Sequence, residues 1–147
     1  MLCQESCRGR IAKPLPGVDS LTYMEPQSDA PAETQNVIRK QLLKAALVPN
    51  HQLTAVDVRE ICLHPGQKTG RHFHACTVIG YIVEGEAKMQ VEGEPELRLP
   101  AGSAFHEPRG RTILRFDNAS DTEPMLFVAC YLLDGDQDLI TMLPANP

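Results

Sequence analysis

Two histidines one residue apart, His72 and His74, sit in the stretch GQKTGRHFHACTVIGYIVEG that spans residues 66–85. They follow a glycine-containing turn and precede an apolar run. On a β-strand, side chains alternate faces, so residues two apart point the same way with neighbouring tips. Two imidazoles presented together are half of a first-row metal site, which needs at least three protein ligands. Further donors lie at His106, at Glu107 and at Cys76, a soft ligand two residues past His74. His106 and Glu107 have opposite parity, so one of the two faces inward. Without a metal, the same histidines read as hydrogen-bonded pocket residues or as acid–base groups. Catalysis of that kind needs an acidic partner to set the tautomer, with Glu107 and Asp117 as candidates.

The elements that must hold these groups read as strands. Leu53–Leu63, Arg71–Cys76, Val78–Glu84, Ala87–Glu92, Glu96–Leu99, Ser103–Glu107, Thr112–Asp117 and Met125–Leu133 are short β-prone runs. Turn signals separate them: His64-Pro65-Gly66, Gly85-Glu86, Gly93-Glu94-Pro95, Pro100-Ala101-Gly102 and Pro108-Arg109-Gly110. Met125–Leu133 is almost continuously apolar, as expected of a strand buried on both sides. Strands at this spacing predict a β-sandwich or barrel, and eight to ten of them in about 100 residues suit a jelly roll. Asn36–Val48 is ambiguous between helix and strand, and Asp138–Leu143 reads as one helical turn in an acidic tail. Residues 1–35 carry Pro14, Pro16, Pro26 and Pro31, which forbid a continuous helix or central strand. They read as an extended arm, leaving residues 36–147 as the single barrel domain.

The 147 residues carry a formal charge of −5, with 5% aromatics and no Trp. The core is therefore expected from Val, Ile, Leu, Ala and Met. No run of Lys or Arg exceeds two, which argues against a nucleic-acid or anionic-membrane partner. No apolar stretch approaches the ~20 residues of a membrane span, and the N-terminus lacks a signal-like apolar region. The five cysteines, an odd number without a dense framework, point to reduced thiols and a cytoplasmic location.

Two patterns in this chain resemble the motifs of the cupin family. The first motif is a glycine, five residues, His-x-His, three or four residues, a glutamate, six residues and a glycine. Gly66, His72, His74 and Gly85 stand in register, with Val78 at the glutamate position. The second is a glycine, five residues, Pro-x-Gly, two residues, a histidine, three residues and an asparagine. Gly102, Pro108 and Gly110 fit, with Ile113 at the histidine position, Asp117 at the asparagine position and Asn118 next to it. The resemblance covers residues about 50–133. It implies an all-β double-stranded β-helix, a jelly-roll barrel like that of small bacterial RmlC-type cupins, with an extended N-terminal arm.

The resemblance also implies a metal held by His72 and His74, with two of four usual ligand positions replaced by aliphatic residues. Such a site is weak for Fe²⁺ or Mn²⁺ and less poor for Zn²⁺, Ni²⁺ or Cu²⁺. A hairpin through Pro108–Thr112 would bring His106 near Ile113 and offer a compensating ligand. Val78, Ile82, Met89, Phe105 and Ile113 read as pocket wall or core. Arg115 shares the parity of Ile113 and Asp117, which makes it either an anion anchor in the pocket or a surface residue. His51 and His64 read as solvated, and Cys62 and Cys130 as packing residues. The favoured function is a small-molecule-binding barrel that holds a divalent metal weakly. A metal-dependent oxygenase, isomerase or lyase and a metal-free histidine acid–base catalyst are the alternatives. By resemblance the assembly is a homodimer.

Overall fold

The computed structural model describes residues 38–47 and 52–145. The expected arm and His51 lie outside these residues, and 38–47 carries no regular secondary structure, helical or extended. Nine strands follow, with no helix among the described residues: β1 (Ala55–Leu63), β2 (His72–Phe73), β3 (Thr77–Glu84), β4 (Glu86–Val91), β5 (Leu97–Pro100), β6 (Ala104–Glu107), β7 (Ile113–Asn118), β8 (Met125–Leu133) and β9 (Thr141–Met142). They form a four-stranded sheet in the order β1-β8-β3-β6 and a five-stranded sheet in the order β5-β4-β7-β2-β9. Every pairing is antiparallel. The two sheets make an all-β jelly roll around one interior. No helix among the described residues is long and apolar enough to cross a membrane.

Alternation decides which residues enter that interior. In β4, Ala87, Met89 and Val91 are buried; in β3, Val78 and Ile82 are. In β8, Met125, Phe127, Ala129 and Tyr131 are buried, but the residues between them are only half-buried, so this strand is not enclosed on both faces as expected. Phe105, Phe116 and Phe127 pack with ring centroids 4.7, 4.9 and 5.9 Å apart. Few aromatics are present, yet three of the four phenylalanines form this cluster, of which only Phe105 was expected at the pocket wall or core.

Three local expectations are corrected by the topology. The chain from Pro108 to Thr112 is not a β6–β7 hairpin, because β6 pairs with β3 in one sheet and β7 with β4 and β2 in the other. It is a crossover between layers. The tail forms no helical turn; β9 pairs with β2, and the Leu143 amide donates to the Arg71 carbonyl at 2.8 Å. Cys76 and Cys130 are free thiols, but Cys62 is disulfide-bonded, so the reduced-thiol expectation fails there.

A bulge sets the faces of β7. Gln90 is opposite Arg115 and Val91 opposite Ile113, so Leu114 is the extra residue. Ile113 is therefore fully buried while Arg115 turns to the outside, where it pairs with Glu96 at 2.7 Å. The shared parity of Ile113 and Arg115 is broken by that one inserted residue, and Arg115 does not face the barrel interior.

Two glycines test this packing. A Cβ on Gly80 would stand 2.1 Å from Phe105 Cζ and 2.7 Å from the Val128 carbonyl oxygen. Gly80→Ala should cost about 1–3 kcal/mol by overpacking. Gly110 sits in open space at φ +69°, so Gly110→Val should cost roughly 1–2 kcal/mol through backbone strain alone. Thermal melts of both variants check this; a Gly80→Ala protein melting with the parent would contradict the placement of the Phe105 ring.

Candidate metal centre

His72 lies on β2 and His74 just beyond its end, while Glu107 ends β6 in the opposite sheet. All three are buried, at 2%, 3% and 4% exposure, and their donor atoms lie within 4.8 Å of one another. The imidazole centroids are 5.1 Å apart at a steep angle, so the rings converge instead of stacking. His74 Nε2 is 2.9 Å from Glu107 Oε2, and His72 Nε2 is 3.8 Å from Oε1.

Register explains how a carboxylate arrives here. Val78 is paired directly with Glu107 across the β3–β6 ladder, and opposed side chains in such a ladder are near neighbours. Glu107 thus projects from the strand beside Val78, toward the space a carboxylate at 78 would address. Ile113 is paired with His72 across β2–β7 and closes the other side. Tyr131, opposite Val78 on β8, sets its ring edge against His74 at 5.8 Å.

The sequence left the choice between His106 and Glu107 open, and alternation along β6 resolves it. Phe105 and Glu107 are buried, whereas His106 lies on the other face, paired with Ile79 and only partly buried. His106 is not in the cluster, and burial lowers its pKa. Val78, Ile82, Met89, Phe105 and Ile113 are all buried in the core. Cys76 is buried too, its thiol pushed up by desolvation, but it does not join the donors. Asp117 and Asn118 are structural. Asp117 accepts from the Thr69 amide at 3.2 Å, and Asn118 Nδ2 donates to the carbonyls of His64 and Glu123 at 2.9 and 2.8 Å.

The second ring nitrogens fix the chemistry of the first. His72 Nδ1 is 2.8 Å from the Gly70 carbonyl and His74 Nδ1 is 2.5 Å from the Leu139 carbonyl. A carbonyl only accepts, so both Nδ1 atoms must carry hydrogen. In the neutral rings each Nε2 is then a bare lone pair. Metal-binding histidines hold their outer N–H in this way. No sequence signal marked Leu139, whose carbonyl the tail brings to His74 in place of the expected helical turn.

Lone pairs of two imidazoles facing a buried carboxylate repel one another unless a cation stands among them. His74 Nε2 and Glu107 Oε1 have no hydrogen-bond partner. His74 Nε2 stands 2.9 Å from Glu107 Oε2, an ion-pair separation once the ring is protonated. A divalent cation fits such a donor set. In its absence a proton on His74 would supply that charge. Burial opposes charge on His74, but the Glu107 carboxylate and the Leu139 carbonyl outweigh it and raise the pKa. Burial likewise pushes Glu107 up, but His72 and His74 prevail and hold it below the usual 4.5.

This gives the metal-free protein a pH signature. The carboxylate contribution is complete above 4.5 and is lost as pH falls through the depressed folded value. The imidazolium contribution is complete below 6.5 and is lost as pH rises through the raised folded value. The melting temperature of chelator-treated protein should gain most from the pair between these limits, and Glu107→Gln should remove that gain. Parallel profiles for parent and variant would contradict the charge coupling.

Comparison with known proteins agrees with this architecture. The cupin domain family matches residues 59–131. No match is found among curated proteins. The structure of the lyase DddQ from Ruegeria pomeroyi, which is named for DMSP, aligns at TM-score 0.52 and 21% identity, over 59% of this chain and 42% of that one. A double-stranded β-helix protein of Klebsiella pneumoniae aligns at TM-score 0.51 and 22% identity, over 61% and 76%. Oxalate decarboxylase of Bacillus subtilis, a protein with Mn(II) centres, aligns at TM-score 0.52 and 22% identity, over 60% and 24%. The chain thus spans less than half the length of the lyase and of the decarboxylase, and at these identities the likeness is one of fold. With the matched domain, the two-sheet barrel and the paired histidines of its first motif in place, the chain belongs to the cupin family.

Proposed function

We propose that this cupin is a metal-dependent protein in which His72, His74 and Glu107 hold one divalent transition metal and leave coordination positions open to a small organic molecule. The observation that carries this reading is the convergence of two Nε2 atoms and one buried carboxylate, with both Nδ1 atoms engaged on backbone carbonyls. Two histidines and one carboxylate are the donors of catalytic zinc sites and of non-haem iron sites. Fe²⁺, Mn²⁺ and Zn²⁺ suit this set, and Ni²⁺ or Cu²⁺ would bind it in competition. A metal there would supply Lewis acidity or an oxygen site to the bound molecule.

The chain's own residues do the rest. Gly70 and Leu139 orient the rings through their carbonyls, while Val78 and Ile113 keep the neighbouring positions dry. Such a surrounding lowers the local dielectric and strengthens every charge interaction at the centre. A set of three protein donors, the number found in catalytic metal sites, makes an enzyme acting on a small polar molecule the favoured form of this reading, over a binding barrel without chemistry. Metal-free acid–base catalysis is a second reading, favoured by the 2.9 Å approach of Glu107 to His74. Activity that survives complete chelation would select it.

Metal content measured by mass spectrometry on protein purified without tag or chelator tests the first reading. Near-stoichiometric metal is expected, and none in His72→Ala/His74→Ala; equal metal in both would remove the site. Ile113→His, which places an imidazole across the ladder from His72, should tighten Ni²⁺ or Mn²⁺ binding by about tenfold or more, or about 1.4 kcal/mol. Calorimetry showing no gain would mean that position 113 does not address the same point.

A further inference from the structure

A cavity of about 360 Å³ is lined by residues of the outer face of the five-stranded sheet and of the segment before β2, and none of His72, His74 and Glu107 is in its walls. Its walls carry Lys68, Arg71, Lys88 and Arg115 against only two carboxylates, Asp117 and Asp121. The whole chain has a net charge of −5, so this concentration of cations in one concave place runs against the average. A concave surface in which cationic side chains outnumber carboxylates raises the local concentration of anions.

The walls are built, not merely adjacent. Lys88 is paired with Asp117 across β4–β7, and the bulge after Gln90 is what turns Arg115 onto this same outer face. The segment before β2 is laced to β7 by three bonds: Asn118 amide to Gln67 carbonyl at 3.0 Å, Thr69 amide to Asp117 Oδ1 at 3.2 Å, and Phe116 amide to Thr69 Oγ1 at 3.2 Å. Arg71 is steadied by the Pro144 carbonyl at 3.2 Å and by Glu92 at 3.5 Å, and Arg115 by Glu96 at 2.7 Å. No ion pair of Lys68 or Lys88 is seen among the described residues. A fixed pair of guanidinium groups with two ammonium groups beside them suits an oxygen anion of more than one charge.

We propose that this cavity is a second binding site, for a small multivalent oxyanion: a phosphate group or a cluster of carboxylates on a small metabolite. Its volume is in the range of small-molecule sites. The carboxylates of Asp117 and Asp121 would accept hydrogen bonds from hydroxyl groups on the same molecule, which favours a polar, hydroxylated ligand over a bare ion.

The test is calorimetry on the full chain with inorganic phosphate and with citrate, sodium chloride holding ionic strength constant. Saturable binding of either is expected, and the tighter of the two names the source. Lys88→Gln should weaken it about tenfold, the worth of one charge-assisted hydrogen bond, and Lys88→Arg should restore most of it. Lys68→Gln repeats the test should the first variant melt lower than the parent. His72→Ala/His74→Ala should leave the binding unchanged, which separates this site from the metal centre. Heats that sodium chloride reproduces, or binding lost with the histidines and indifferent to Lys88 and Lys68, would overturn the proposal.

Discussion

A carboxylate buried at 4% exposure is the constraint around which the site is arranged. Removing such a charge from water is costly unless a cation and hydrogen bonds compensate it, and among the described residues the ionisable groups paired with Glu107 are two imidazoles. Those imidazoles cannot donate to it when neutral, since each has already committed its one N–H to a carbonyl. The centre is therefore satisfied only with a positive charge at its middle, whether a proton or a metal ion. The segment at Gly70, the tail at Leu139 and the opposed sheets all serve to keep that demand in place.

The ladder shows how one fold can carry its ligands on different strands. Antiparallel neighbours present opposed side chains to the same region, so a glutamate beside Val78 can serve where one at 78 is missing. The histidine that Ile113 replaces has no such counterpart among the described residues. Ile113 faces His72 and stays aliphatic, which leaves three donors and a dry wall where a fourth would be. Three protein ligands are typical of metal sites that bind a reacting molecule, while closed four-ligand sites are structural.

The barrel was legible because its turns are chemically explicit. Pro–Gly pairs and isolated glycines punctuate runs of alternating apolar residues, and β8 occupies the span its residues suggest. Strand parity also narrowed the inward-facing donor to His106 or Glu107. What could not be read was whatever depends on pairing between distant segments. Assigning the Pro108 turn to a hairpin instead of a crossover favoured His106, although the Glu107 side chain was one parity step away. The bulge at Leu114 reversed the face of Arg115, and a single inserted residue leaves no mark in composition. The carbonyl of Leu139 acts through the backbone, so its side chain carries no hint of it.

The most direct measurement is to move the carboxylate back across the ladder. Calorimetry would follow Mn²⁺ and Zn²⁺ binding to the parent, to Glu107→Val and to the exchange Val78→Glu/Glu107→Val, with circular dichroism confirming that each folds. Binding lost in the single variant and recovered in the exchange is the expected result, since both strands address one point. A folded Glu107→Val protein that binds metal as the parent does would contradict the assignment of Glu107 as the third ligand.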